Sequence, residues 1–290
     1  MNKHVIAYAL VFLAAIASQP ASAADRVSNW SGFYVGGNAG YAWGSESNSL
    51  NIGDGPSVLN CHFCSAIVGG NDAALAQNAG SSSFDPRGFV GGAQFGYNWQ
   101  KANWVYGIEA DIGGFSQSQT ENSSANLLAN TAFPQCFAGG GAAVACTGNF
   151  SSTVKADWLI TIRPRIGYAW DQSLVYVTGG LAISKLSFSQ SYSDNINFAA
   201  GNVGGSQNSS ASQLKAGWVI GAGLERAMGK NWSLKAEYLY VRFDGLNANG
   251  ALSDAVTGDF ANFSNRVDHF ASNIVRVGFN YKFSAAATKY

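Results

Sequence analysis

The sequence predicts an all-β chain folded as an eight-stranded antiparallel up-and-down transmembrane β-barrel. Three observations predict it. Eight segments carry the period of two that sends successive side chains to opposite faces of a strand. The connections between them alternate between tight turns and long loops, as in outer-membrane barrels with short periplasmic turns and long extracellular loops. The eight tryptophans fall near strand ends, at two rims, where amphipathic aromatics gather at the membrane interfaces.

The first element is a leader. "MNKHVIAYALVFLAAIASQPASAAD" opens with Lys3, runs apolar from Val5 to Ala17 and closes with Ala21-Ser22-Ala23, the pattern of a secretory signal peptide spanning residues 1–23. Gln19 and Pro20 interrupt it well short of the roughly 20 apolar residues a membrane helix needs. The barrel domain is expected over residues 24–283, with a short tail at 284–290. Its predicted strands are Gly32 to Trp43, Gly88 to Trp99, Trp104 to Phe115, Lys155 to Trp170, Leu174 to Leu186, Leu214 to Arg226, Trp232 to Phe243 and Ala271 to Phe283. Gln100 to Asn103, Asp171 to Ser173 and Ala227 to Asn231 read as tight turns. Gly44 to Arg87, Ser116 to Val154, Ser187 to Gln213 and Asp244 to Phe270 read as four long extracellular loops, and their Ser, Asn, Gly and Ala content predicts mobility.

In the last strand, Val275, Val277, Phe279, Tyr281 and Phe283 share one face, opposite Arg276, Gly278, Asn280 and Lys282. A soluble barrel would bury the large apolar face; a membrane barrel would expose it. The charges decide. Opposite the apolar stripes lie Glu109, Asp111, Arg163, Arg165, Glu225, Lys235, Glu237 and Arg276. Turned to lipid, an Arg or Lys near the midplane would cost roughly 2 to 4 kcal/mol. They are therefore expected inside, as an ionic network that balances acids against bases, because a buried charge without a partner is strongly destabilising. Glycines 36, 40, 92, 96, 107, 167, 221, 223 and 278 share that inner face and leave room for long side chains. Trp30, Trp43, Trp99, Trp104, Trp158, Trp170, Trp218 and Trp232 are expected to form the aromatic girdle. Pro164 removes a ladder donor from mid-strand, which predicts a bulge or a local break.

Charged residues are only 12% of the chain, with a formal net charge of zero, so no basic patch for nucleic acid is present. Cys61, Cys64, Cys136 and Cys146 all fall in long loops. Their even number in an oxidising compartment favours disulfides, and a local pairing, Cys61 with Cys64 and Cys136 with Cys146, needs no contact between loops. Cys61, His62 and Cys64 lack the fourth ligand of a tetrahedral metal site, so no metal and no cofactor are expected. His62 and His269 read as loop histidines. His269 and Ser272 fall on opposite strand faces, so no catalytic residues are assigned and an enzyme is not expected.

"NWSGFYVGGNAGYAWG", "GFVGGAQFGYNWQKANWVYGIEADI", "IRPRIGYAW" with "VYVTGGLA", "WSLKAEYLYVRF" and "VRVGFNYKF" together resemble the alphaproteobacterial outer-membrane immunogenic proteins, relatives of opacity-type surface proteins with a small OmpA-type barrel. The resemblance spans the strands and none of the long loops. It implies that Phe283, with Tyr281 and Phe279, is the signal read by the barrel-assembly machinery, although the family usually ends at that phenylalanine and carries glycine where Pro164 stands here. Members are often labelled porins, surface antigens or haem-binding proteins. The expected function is structural and interfacial: a barrel in outer-membrane lipid that supports envelope integrity and offers its loops to surface ligands or host factors. A small passive pore is the alternative, and a haem-binding surface protein a third. Eight strands enclose an interior that side chains just fill, whereas open channels come with about 16 to 18.

Overall fold

The computed structural model describes residues 28–54, 63, 72–127, 146–195, 204–253 and 260–283. The expected leader (1–23) and tail (284–290) lie outside these residues. In chain order the elements are β1 (Gly32–Gly44), β2 (Glu46–Asp54), α1 (Asp72–Gly80), β3 (Ser82–Phe84), β4 (Arg87–Lys101), β5 (Trp104–Leu127), β6 (Cys146–Trp170), β7 (Ser173–Asp194), β8 (Ser206–Met228), β9 (Trp232–Ser253) and β10 (Phe260–Lys282). All pairings are antiparallel, in the order β1-β4-β5-β6-β7-β8-β9-β10-β2-β3, and β1 also pairs with β10. Among the described residues there are ten strands where eight were expected. Eight of them, β1 and β4 to β10, close the barrel. β2 and β3 come from the first expected loop, β2 continuing along β10 where β1 leaves it.

The tight turns fall where the sequence puts them. Ala102 and Asp171 adopt positive φ, and Gly229 at φ 84° supplies the left-handed residue between β8 and β9 at no steric cost. At the other end the described residues of the last three long connections are strand rather than loop almost throughout. β5 to β10 run past the predicted ends, and Ser187 to Asp194 and Ser206 to Gln213, expected to be mobile, pair with each other. The reason is positional. Beyond the apolar band the outward face of β5 becomes Ser116, Ser118, Thr120 and Asn122, while the inward face keeps Phe115, Gln117 and later Leu127. The alternation persists with small polar groups facing water, and it gives little hydrophobic contrast to read.

Below that point the outer surface is apolar and exposed: Phe95, Trp99, Ile108, Ile112, Ile166, Val177, Ile220 and Phe279 point outward. This is a lipid-facing band. Two irregularities sit at its upper edge. Against β7, β6 carries one extra residue between Ala156 and Leu159, a bulge at Asp157–Trp158 that returns the alternation to phase for Thr161 and Arg163, while against β5 the extra residue lies on β5, between Gly114 and Gln117. On β9 the phase flips at Asp244–Gly245. There a Cβ would stand 1.8 Å from the Val267 carbonyl oxygen, so only glycine fits. Pro164 makes no bulge. It stays paired opposite Ile108, and around it the β6–β7 ladder skips Arg163 and Pro164 without a register change, while the Thr178 hydroxyl donates to the Pro164 carbonyl at 2.9 Å.

The part projecting beyond the band has its own core, in which Leu50, Ile52, Phe150, Tyr192 and Phe263 pack with α1. Glu46 is buried at its base. Burial pushes its carboxyl up to about 9, with the Ala271 backbone partly offsetting it and Asp85 adding repulsion. In the unfolded chain the group titrates near 4.5. The folded form thus holds the proton more tightly, so this contribution to stability is complete below about 4.5 and is lost as pH rises towards about 9. Glu46→Gln is expected to flatten the decline in unfolding midpoint across that interval, as read by tryptophan fluorescence in urea series at several pH values. A slope identical to the parent chain would exclude Glu46 as its source.

Candidate functional site

The barrel interior is the one place where the described charges concentrate. Inward alternation on β5, β6, β8, β9 and β10 brings all eight predicted charged residues inside. Arg163, fully buried, lies at the hub. Its Nη2 donates to Glu109 Oε1 at 2.7 Å and to Asp111 Oδ2 at 2.9 Å, and its Nη1 donates to Glu237 Oε1 at 3.2 Å. Lys235 Nζ donates to both Glu109 oxygens at 2.8 and 2.9 Å. Arg276 bridges Glu237 Oε2, from Nε at 2.8 Å, and Asp111, from Nη1 at 3.2 Å and Nη2 at 3.1 Å. Arg165 carries the network towards the periplasm through Glu225 at 3.2 Å and Asn98 at 2.9 Å.

Sequence reading missed the neutral partners. Tyr34 donates to Glu109 at 2.7 Å, Tyr176 to Glu237 at 2.9 Å and Thr161 to Asp111 at 2.7 Å, while Asn280 and Ser233 donate to Glu225. The Arg165 guanidinium lies over the Tyr34 and Tyr176 rings, 4.8 and 5.1 Å from their centroids. The available signal was parity, since each of these residues stands an even number of positions from an inward charge or glycine on its own strand. The glycines make the space. A Cβ at Gly96 would meet the Tyr34 hydroxyl at 2.3 Å, and one at Gly223 the Tyr176 hydroxyl at 2.4 Å.

The next inward positions towards the outside are apolar on almost every strand. Ala42, Val90, Phe115, Leu159, Ala182, Val219, Leu239, Val241, Phe243 and Ile274 form one buried cluster with Phe270. An ionic layer is thus overlain by an apolar layer. On the periplasmic side a cavity of about 240 Å³ opens, with Trp30, Tyr34, Asn98, Glu225 and Asn280 in its walls.

Of the expected girdle, Trp99, Trp104, Trp170, Trp218 and Trp232 are exposed on the lipid face, and Trp43 and Trp158 are half-buried there. Trp30 is a correction: only 5% exposed, it turns inward against Val105, Ala169, Leu174 and Tyr176. It precedes β1, so no strand parity fixed its direction. Phe283, Tyr281 and Phe279 lie on the outer face in an aromatic chain with Trp232 and Phe33. Cys146 is buried at the start of β6; Cys61, Cys64, Cys136 and His62 lie outside the described residues. His269 is half-buried on β10 opposite Asp244.

The model of the outer membrane protein beta-barrel domain matches residues 9–283. The chain belongs to this family. Among its relatives, the 31 kDa outer-membrane immunogenic protein of Brucella melitensis is 32% identical over 268 residues, 92% of this chain and 89% of the relative. The 22 kDa outer membrane protein of Rhizobium leguminosarum bv. viciae is 25% identical over 88% of this chain and 79% of its own. Among solved structures, OprG of Pseudomonas aeruginosa superposes with a TM-score of 0.36 at 12% identity, covering 88% of this chain and 97% of that one. Membership places the chain in the outer membrane, and the family's barrel is the architecture built here from β1 and β4 to β10.

Proposed function

We propose that the protein is a non-enzymatic structural and display barrel: a closed, ion-paired cylinder that holds a folded β-turret at the cell surface and contributes to envelope integrity. The observation that carries this reading is the stacking of two filled layers inside the barrel, ionic below and apolar above. A conduction path needs hydrated polar walls along its length, and the cluster around Phe115, Phe243 and Phe270 interrupts them. The projecting strands supply a rigid surface for ligands or host factors. The relatives' description as immunogenic outer-membrane proteins supports exposure of that region. The final aromatic chain around Phe283 is proposed as the contact for the assembly machinery.

Surface labelling tests the reading in cells. A cysteine-free variant with Ser118→Cys on the turret and Lys101→Cys at a periplasmic turn is expected to react with an impermeant maleimide on intact cells only at position 118. A deletion strain should gain detergent sensitivity that the variant reverses. Labelling at position 101 alone, or unchanged detergent resistance, contradicts it. The periplasmic cavity favours a second reading, a narrow pore entered from that side, which is separable by conductance.

A further inference from the structure

We propose that the seam between β8 and β9, just outside the lipid-facing band, is a binding site for the alkyl chain of an anionic amphiphile from the outer leaflet. The β8–β9 ladder runs from Met228 opposite Trp232 up to Gly217 opposite Phe243 and stops there. Beyond it β8 stays paired to β7 alone, and β9 to β10 alone. The turret has a second parting, between β2 and β5, but α1 fills that one. Gln77 donates to the Ile52 carbonyl, the Ser123 hydroxyl to the Ala79 carbonyl, and Gln190 to the Gly80 carbonyl. Among the described residues no element fills the β8–β9 seam. Its top narrows where Gly250 meets Asn208 and Ser209.

Inside the turret, between β7 and the β9 side of the seam, lies a small cleft of about 10 Å³ walled by Val154, Leu186, Phe188, Leu246, Val267 and Phe270, to which β8 contributes no wall. At rest it has room for about one water. Widening it breaks no ladder bond, because the two facing edges share none. That separates this seam from every other strand boundary of the closed barrel.

The occupant follows from what surrounds the opening. Trp218 and Ile220 belong to the lipid-facing band, and Leu214, 67% exposed on the same β8 face, carries that band up to the seam. A hydrocarbon chain in the outer leaflet therefore meets the opening directly. Cations flank it: Lys185 pairs opposite Leu214, Lys215 opposite Ser184, and Arg242 opposite Trp218. Gln213 and Lys215, in the inward phase of β8, are exposed or half-exposed at the gap. One acid, Asp244, is exposed on the β9 side. The combination of an apolar slot, a lipid-side entrance and an excess of cations at the rim fits a chain with an anionic head.

Equilibrium binding of radiolabelled palmitate to the full-length refolded protein in amphipol tests this. One saturable site is expected. Lys185→Ala with Lys215→Ala, both on the surface, should weaken it roughly tenfold, as expected from losing charge-assisted contacts. Leu246→Trp, filling the cleft, should abolish it, with a heat-modifiable gel shift confirming that the variant folds. Non-saturable uptake, or equal affinity in the parent and the double lysine variant, overturns the proposal. So does a second copy or a protein partner pairing along the free β8 edge, seen as a larger sedimenting species that palmitate does not displace.

Discussion

Arg163→Ala is expected to lower the unfolding free energy of the barrel by about 3–5 kcal/mol, the usual cost of removing one partner of a buried pair. The side chain is fully buried and binds three carboxylates at once, Glu109, Asp111 and Glu237. Its loss leaves those acids to Lys235, Arg276 and Arg165, so the penalty should sit towards the lower end. Urea titration in lipid vesicles, followed by tryptophan fluorescence and the heat-modifiable gel shift, measures it. An unfolding midpoint equal to that of the parent chain would mean that the network does not hold the barrel together. Thr161→Val should cost less, since it removes one neutral donor to Asp111 and leaves the ion pairs in place.

Phe243→Ala attacks the other layer. The ring is 1% exposed, its centroid lies 6.4 Å from that of Phe270, and Gly217 makes way for it, a Cβ there standing 2.7 Å from the ring. Truncating such a residue costs about 3–5 kcal/mol in transfer and cavity terms. The same titration reads the loss. Because Leu239, Val241, Phe115 and Phe270 remain, the variant should still close the interior. A stability loss under about 1 kcal/mol would place Phe243 outside a packed core.

The membrane half of the molecule was legible in the sequence for a simple reason. Lipid on one side and a charged interior on the other make the contrast between alternate residues as large as it can be, so Glu109, Arg163 and Arg276 announce their face. The turret was not legible because water bathes its outer side and its inner side mixes Phe115 with Gln117 and Ser152; alternation between serine and glutamine carries no signal. Single-residue phase changes did further damage. The bulge at Asp157–Trp158 and the flip at Asp244–Gly245 invert parity, so on β6 and β9 a pattern extended outward from the membrane strands puts the wrong face inside. α1 has nine residues and no strong apolar stripe, and it forms because Leu50 and Phe150 pack against it. Trp30 shows the same limit at the other end, where rim position was readable and side-chain direction was not.

Both layers support the proposed reading of the interior as a structural plug. Single-channel recording of the refolded protein in planar bilayers, after the gel shift has shown a folded barrel, tests it most directly. The parent chain is expected to leave the membrane silent. Reproducible conductance steps whose size or ion selectivity changes with substitutions at Arg163 or Glu109 would contradict it and make the ionic network the wall of a pore.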